Sequence, residues 1–344
     1  MKRLLPKTTL KLNDCQWRAT DIKSEVGRAQ LAANGLHWQS LFADGSALYT
    51  QLQGSKTPIS DSDAAAVFES MSAVEALLDK PIGKCKLMAI VNLTTDSFSD
   101  GGNYQTDANS LRLHCEKLID DGAAILDLGA ESTRPGADEV DASQQIELMS
   151  FALDAIEGLD VPLSIDTRSA EVANYCLQRG AIMVNDVSAL SDPQMASVVA
   201  EHQAQLVLMH RRGDSKTMQS RCDYDYLLGE ICDELKPKID MALEAGVSAE
   251  SIIVDPGIGF SKTATQNFEI IKHMDVFRSL GYAVLSGPSR KSFIASVLPE
   301  LEAAERDCAT IGAASISAFH GAEYLRLHCG GGNWDAVKIA QACR

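Results

Sequence analysis

The sequence contains no run of about 18 apolar residues, so it offers no transmembrane helix. The amino terminus opens with Lys2, Arg3 and Lys7, but Lys11, Asn13 and Asp14 break any apolar core of signal-peptide length. Nine cysteines are scattered without a Cys-x-x-Cys pair, and an odd number cannot all pair. That usage fits neither a disulfide framework nor a zinc site, and points instead to reduced thiols and a cytoplasmic location. Positive charge is scarce: 31 Lys and Arg face 47 Asp and Glu, a net charge of −16. Nonspecific binding to nucleic acid or to an anionic membrane is therefore not expected. A small anionic ligand stays open to the chain, because a few local Arg and Lys side chains outweigh a distant field. An obvious Gly-rich dinucleotide fingerprint is also missing.

What is present is an ordinary globular composition, 45% hydrophobic and 23% charged over 344 residues. That length suits one large domain with an extension, or two domains. Residues 1–85 have their own texture. Leu36–Phe42 and Ser46–Leu52 read as a hairpin turning at Asp44-Gly45. Asp61–Leu78 carries an apolar stripe at helical spacing through Val67, Phe68, Met71, Val74 and Leu77. No chemical motif falls in this segment, which reads as a small α+β extension with a linker near Lys80-Pro81-Ile82-Gly83.

From Lys86 to residue 344 the chain alternates apolar strands with amphipathic helices. The strands are expected at Leu87–Asn92, Ile125–Gly129, Leu163–Asp166, Ile182–Val187, Leu206–His210, Ile252–Asp255, Ala283–Gly287 and Tyr324–His328. Helices are expected near Ala108–Asp121, Ser143–Glu157, Ala170–Arg179, Pro193–His202, within Tyr224–Ala245, and near Ala264–Leu280, Arg306–Phe319 and Trp334–Cys343. Eight such repeats form the pattern of an α/β (β/α)8 TIM barrel, with a doubly wound sheet as the alternative.

The stretch Ser251-Ile-Ile-Val-Asp255-Pro-Gly257 shows the grammar of each repeat. An apolar run stops at a carboxylate, and Pro and Gly then turn the chain out. Read alone, Asp255 is a turn cap. The same design recurs, however, at every strand end: Asn92, Glu131 to Arg134, Asp166, Asn185 with Asp186, His210, Asp255, Ser289 to Lys291, and Arg326 with His328. In a parallel barrel all of these converge on one mouth. Asp166, Asn185 and Asp255 supply acceptors, with one amide donor, and suit a flat heterocycle rich in N–H groups. Asn92, Arg134, Arg326 and His328 supply donors suited to an anion, above all a phosphate. The turn-rich loops after the first two strands, 94–102 and 131–136, are of the kind that closes over substrate.

The stretches Asn92-Leu-Thr-Thr-Asp-Ser-Phe-Ser-Asp-Gly-Gly102, Asp127-Leu-Gly-Ala-Glu-Ser-Thr-Arg-Pro-Gly136, Ser164-Ile-Asp-Thr167, Asn185-Asp-Val-Ser188, Leu208-Met-His210, Asp255-Pro-Gly-Ile-Gly-Phe260, Ser289-Arg-Lys-Ser-Phe293 and Arg326-Leu-His328 follow one another in order. Over about three quarters of its length the chain resembles dihydropteroate synthase. The resemblance implies a TIM barrel that joins 6-hydroxymethyl-7,8-dihydropterin pyrophosphate to p-aminobenzoate, with loss of pyrophosphate before the amine attacks. By the same resemblance Asp166, Asn185 and Asp255 would hold the pterin, with Lys291 reaching the ring. Asn92, Arg134, Arg326 and His328 would hold the pyrophosphate, with Mg²⁺ near Asn92. Thr133, Pro135, Phe260, Ser289 and Lys291 would shape the aminobenzoate site. The implied catalytic set is Asn92, Arg134, Lys291, Arg326 and His328, and a homodimer is implied as well.

The chain departs from the family pattern at Thr95, where Pro is usual, and at Cys329, where Asp is usual. It also has Pro288 before the Ser-Arg-Lys motif. Two alternatives remain: a pterin-dependent methyltransferase domain of the same barrel type, and a non-catalytic pterin-binding paralogue.

Overall fold

The computed structural model describes residues 82–93, 107–131, 140–225, 227–328 and 332–344, and the backbone of five short strands nearer the amino terminus. The chain divides into two compact units. One comprises Met1–Pro81, Tyr224–Glu234 and Asp275–Gly281; the other comprises Ile82–Asp223, Leu235–Met274 and Tyr282–Arg344.

In the first unit, β1 (Thr9–Leu12) pairs antiparallel with β2 (Cys15–Arg18). A separate antiparallel sheet is built from β3 (Leu41–Asp44), β4 (Ala47–Leu52) and β5 (Ser55–Pro58). The hairpin expected from sequence is present, one residue later than expected. Asp44 pairs with Ala47 at the closed end of this hairpin. The β1–β2 ribbon and β5 give no clear sequence signal, because four-residue strands are too short for an alternation to register. The helix expected over Asp61–Leu78 lies outside the described residues.

The second unit contains a closed barrel of eight parallel strands. They are β6 (Lys86–Asn92), β7 (Ile125–Gly129), β8 (Leu163–Asp166), β9 (Met183–Asp186), β10 (Gln205–Met209), β11 (Ile252–Asp255), β12 (Ala283–Ser286) and β13 (Tyr324–Leu327). Each strand neighbours the next in sequence, and β13 closes onto β6. The described helices alternate with them: α1 (Ala108–Asp120), α2 (Ala142–Ala155), α3 (Ala170–Gln178), α4 (Met195–Glu201), α5 (Leu227–Glu244), α6 (Ala264–Lys272), α7 (Asp307–Phe319) and α8 (Gly332–Ala342). Strands buried on both faces read as continuous apolar runs, which is why all eight were legible.

Helix starts follow local chemistry. Asp107, Asp141 and Ser169 accept backbone N–H groups at the starts of α1, α2 and α3, and Thr263 forms a reciprocal capping box with Gln266 at α6. The helix expected as far as Leu280 stops instead at Lys272. There the His273 N–H is shared between Glu269 and Ile270 carbonyls, and a 3₁₀ segment, Met274–Leu280, follows. One end of the barrel is filled by Met88, Ile125, Met183, Val207, Ile253, Leu285 and Tyr324. The polar strand ends lie in register beyond this apolar layer.

Candidate active site

Strand register places the polar groups. In β7 and β8, Asp127 pairs with Ser164 and Gly129 with Asp166; in β8 and β9, Asp166 pairs with Asn185. Partners in a parallel ladder share a face, and residues two apart share it too. Asp127 and Ser164 therefore lie on the same face as Asp166, one layer deeper. Arg326, from β13, reaches across to both carboxylates. Its Nε donates to Asp127 Oδ2 and its Nη2 to Asp166 Oδ2, each at 2.6 Å. Asn185 Nδ2 approaches the same Asp127 oxygen at 3.4 Å. The other carboxylate oxygens, Asp127 Oδ1 and Asp166 Oδ1, are buried without a hydrogen-bond partner among the described residues, as is Ser164 Oγ.

Burial pushes the Asp166 carboxyl up to about 7, with Arg326 pulling against the rise and Asp127 adding to it. Burial alone would lower Arg326, but the Asp127 and Asp166 carboxylates outweigh it and keep the guanidinium charged.

The turn after β11 builds the next wall. Asp255 is buried at the strand end, and its Oδ1 accepts the Gly257 N–H at 2.7 Å. Gly257 has φ +72°, and a Cβ there would stand 2.0 Å from the His210 carbonyl oxygen, so only glycine fits. Lys262 is buried below this turn, with Nζ 2.9 Å from the Phe260 carbonyl oxygen and 3.0 Å from His210 Nδ1. His210 thus braces the turn. Lys291 Nζ donates to the Ile258 carbonyl and lies 4.4 Å from the Phe260 ring centroid. Burial lowers Lys291 to about 8, and Asp255 opposes the shift. Burial raises Asp255, and Lys291 opposes that in turn. Val187, Met209, Met218 and Phe260 form an apolar cluster beside these groups.

A third group comes from the loop after β12. Ser289 Oγ accepts the His328 N–H at 3.1 Å and lies 2.9 Å from His328 Nδ1. Arg290 has φ +56°, and its guanidinium grips Asp307 through two hydrogen bonds of 2.7 and 2.9 Å. Its N–H meets Thr310 Oγ1 at 2.9 Å. The strained residue between Ser289 and Lys291 is therefore held by α7. Asn92 is half-buried at the end of β6 and pairs with Gly129. A Cβ on Gly129 would stand 3.5 Å from Asp166 Cβ and 3.9 Å from Asn92 Oδ1, so the glycine keeps a gap between them.

Of the residues singled out from sequence, Asp166, Asn185 and Arg326 meet in one network. Asp255, Phe260 and Lys291 meet in a second, and Ser289 with His328 in a third. Arg326, grouped from sequence with the anion donors, is tied to the carboxylates of the barrel floor. Thr133, Arg134 and Pro135, with Thr95 and Cys329, lie outside the described residues. The loop bearing 133–135 has both ends on one carboxylate: Glu131 Oε1 accepts the Val140 N–H at 3.0 Å, and Arg168 grips Glu131 through two bonds of 3.0 Å. Sequence reasoning assigned no role to Asp127. Its signal was a charge in the middle of the apolar run Ile125-Leu-Asp-Leu-Gly129.

Residues 88–328 match the family model described as pterin binding enzyme. The dihydropteroate synthase of Synechocystis sp. is 40% identical over 260 residues, 75% of this chain and 88% of that one. That of Bacillus subtilis is 41% identical over 249 residues, 71% and 84% of the two chains. The chain belongs to the dihydropteroate synthase family. Solved structures agree. The Clostridium difficile dihydropteroate synthase, studied with pteroic acid, superposes with a TM-score of 0.69 at 37% identity, covering 77% of this chain and 98% of that one. The Xanthomonas albilineans dihydropteroate synthase with 4-aminobenzoic acid gives a TM-score of 0.69 at 33% identity, over 77% and 94%. The TIM barrel expected from the repeat pattern is thus the barrel of this family.

Proposed function

We propose that this dihydropteroate synthase joins 6-hydroxymethyl-7,8-dihydropterin pyrophosphate to p-aminobenzoate, giving 7,8-dihydropteroate and pyrophosphate. The observation that carries the assignment of roles is the buried Asp166 carboxylate. One oxygen is tied to Arg326, and the other has no partner among the described residues. An unpaired buried carboxylate oxygen costs on the order of 1–3 kcal/mol, which N–H donors at the edge of a pterin would recover. Asn185 and the second oxygen of Asp255 complete the polar edge, and Met209 and Phe260 supply apolar surface for the ring faces.

Diphosphate departs with the electron pair of the breaking C–O bond, leaving a cationic methylene conjugated with the electron-rich pterin. Arg326 and His328, with Arg134, neutralise charge growing on the leaving oxygen. The aminobenzoate nitrogen then attacks the methylene carbon and gives up a proton. No side-chain nucleophile is needed. Ser289 and Lys291, braced by Arg290, place the amine beside Phe260.

A divalent cation fits only as a partner of the diphosphate. Among the described residues no group of three His, Cys, Asp or Glu stands ready for a metal. Asn92 offers one amide oxygen at the mouth. Mg²⁺ commonly takes its remaining ligands from phosphate and water, so one protein oxygen is compatible with it. When bound, the ion would add Lewis-acid stabilisation to the leaving group. A cytoplasmic location and a homodimeric assembly belong to the same reading.

Pyrophosphate release, measured with and without p-aminobenzoate, tests the whole. Release coupled to p-aminobenzoate and formation of dihydropteroate is expected. Pterin binding without aminobenzoate-dependent release would instead establish a non-catalytic binder.

A further inference from the structure

The barrel floor holds three buried carboxylates, Asp127, Asp166 and Asp255, and two cations, Arg326 and Lys291. Asp166 and Asp255 have an evident ligand-facing use. Asp127 does not: it is fully buried one layer deeper, and no role for it follows from the reaction as described. Its contacts are specific all the same. A single oxygen, Oδ2, receives the Arg326 Nε and faces the Asn185 amide. The second, Oδ1, has no partner among the described residues, and neither does Ser164 Oγ on its register partner.

A residue present only to stabilise the barrel would not leave a buried carboxylate oxygen unpaired, because an apolar side chain of similar volume is commonly as good or better there. The arrangement instead fixes one thing, the direction of the guanidinium. Bound through Nε to Asp127 and through Nη2 to Asp166, Arg326 cannot rotate about its long axis. Its Nη1, which makes no hydrogen bond among the described residues, is left to donate elsewhere.

We propose that Asp127 is a positioning residue, which holds Arg326 in the orientation that lets its remaining donors meet the departing diphosphate. Asp166 alone could not do this, since it holds Arg326 through one donor and its other oxygen is the one proposed to meet the pterin. The proposal rests on the placement of Arg326 at the leaving group, and the test separates the two.

Turnover, KM for both substrates, calorimetric affinity for a pterin lacking the diphosphate, and melting temperature are measured for Asp127→Asn, Arg326→Gln and the double variant. Asn keeps the shape and one acceptor while removing the charge. Asp127→Asn is expected to lower kcat about tenfold to a hundredfold, less than the roughly hundredfold to thousandfold cost of removing an oriented donor outright, because the guanidinium is misaimed and not lost. Its melting temperature and its affinity for the simple pterin should remain near wild type. In the Arg326→Gln background the same change should have no further effect on kcat. If Asp127→Asn retains wild-type turnover while Arg326→Gln is crippled, the positioning role is overturned and the role of Arg326 stands. If Arg326→Gln itself turns over normally, both fall. Full multiplication of the two losses in the double variant overturns the proposal, because Asp127 would then act independently. So does an Asp127→Asn chain that melts early or fails to fold, which would make Asp127 a structural brace.

Discussion

Asp255 shows two uses of one side chain. Its Oδ1 caps the turn through the Gly257 N–H, as a lone Asp before Pro-Gly would. Its second oxygen is the one proposed to meet the pterin. Asp255→Asn separates the uses, because an amide oxygen still accepts from Gly257 while the other atom becomes a donor. The melting temperature should change little, and pterin affinity should fall at least about tenfold, the effect of setting donor against donor. Unchanged affinity in a calorimetric titration would leave only the cap. Asp166 makes a different prediction. Its carboxyl is raised to about 7 in the fold, against about 4 when unfolded. Between those values the folded chain holds a proton that the unfolded chain has released. Asp166 therefore costs no stability at low pH, costs more as pH rises through that window, and costs most above 7, with a slope of at most about 1.4 kcal/mol per pH unit. Asp166→Asn leaves Arg326 paired with Asp127 alone. It should melt a few degrees above wild type at pH 8, with the difference shrinking towards pH 5, while losing pterin affinity. Scanning calorimetry across that range reads the trend, and a variant less stable than wild type at pH 8 would contradict it.

Among elements, the βα turns decide the geometry, and they were the most legible part of the sequence. Strand ends were visible because an apolar run meets a polar residue, a local signal that Pro256-Gly257 reinforces after Asp255. Asp166, Asn185 and Asp255 were found that way. Asp127 carries no such mark of a strand end, since its position inside a strand looks like core. The Arg326 to Asp127 pairing spans 199 positions of sequence, a distance over which no local pattern speaks. Helix ends were less visible, as the stop at Lys272 shows, because a shared hydrogen bond at His273 ends the helix rather than a Gly or Pro. The turn after β11 gives the sharpest test of an element. Gly257→Ala would drive a Cβ into the His210 carbonyl and also strain a backbone at φ +72°. A loss of about 3 kcal/mol or more is expected, together with weakened pterin binding as Asp255 and Phe260 shift. The turn after β12 is held from outside by Asp307. Asp307→Ala should relax Arg290 and raise KM for p-aminobenzoate several-fold, with pterin affinity near wild type. Steady-state kinetics with each substrate varied checks the split.

For the molecule as a whole, charge and exposed apolar surface pull assembly in opposite directions. A chain of net charge −16 repels its copies. Yet Phe268 on α6, Ile316 and Phe319 on α7, and Val297 just after the 3₁₀ segment Ser292–Ser296 are all exposed, Val297 by 64% and Ile316 by 48%. The first of these lies beside that segment, where the Phe268 and Phe293 rings meet edge to face at 5.2 Å. Exposed apolar side chains of this kind are what a subunit contact buries. A homodimer that covers those on α6 and α7 would set hydrophobic burial against a repulsion that salt screens. Sedimentation velocity should then find a dimer at micromolar concentration, tighter at 0.5 M than at 0.05 M salt, where the screening length differs about threefold. Ile316→Glu adds a charge to the face itself and should shift the chain to monomer without disturbing pterin affinity. A dimer that weakens as salt rises would mean that opposite charges, not this apolar face, hold the copies together.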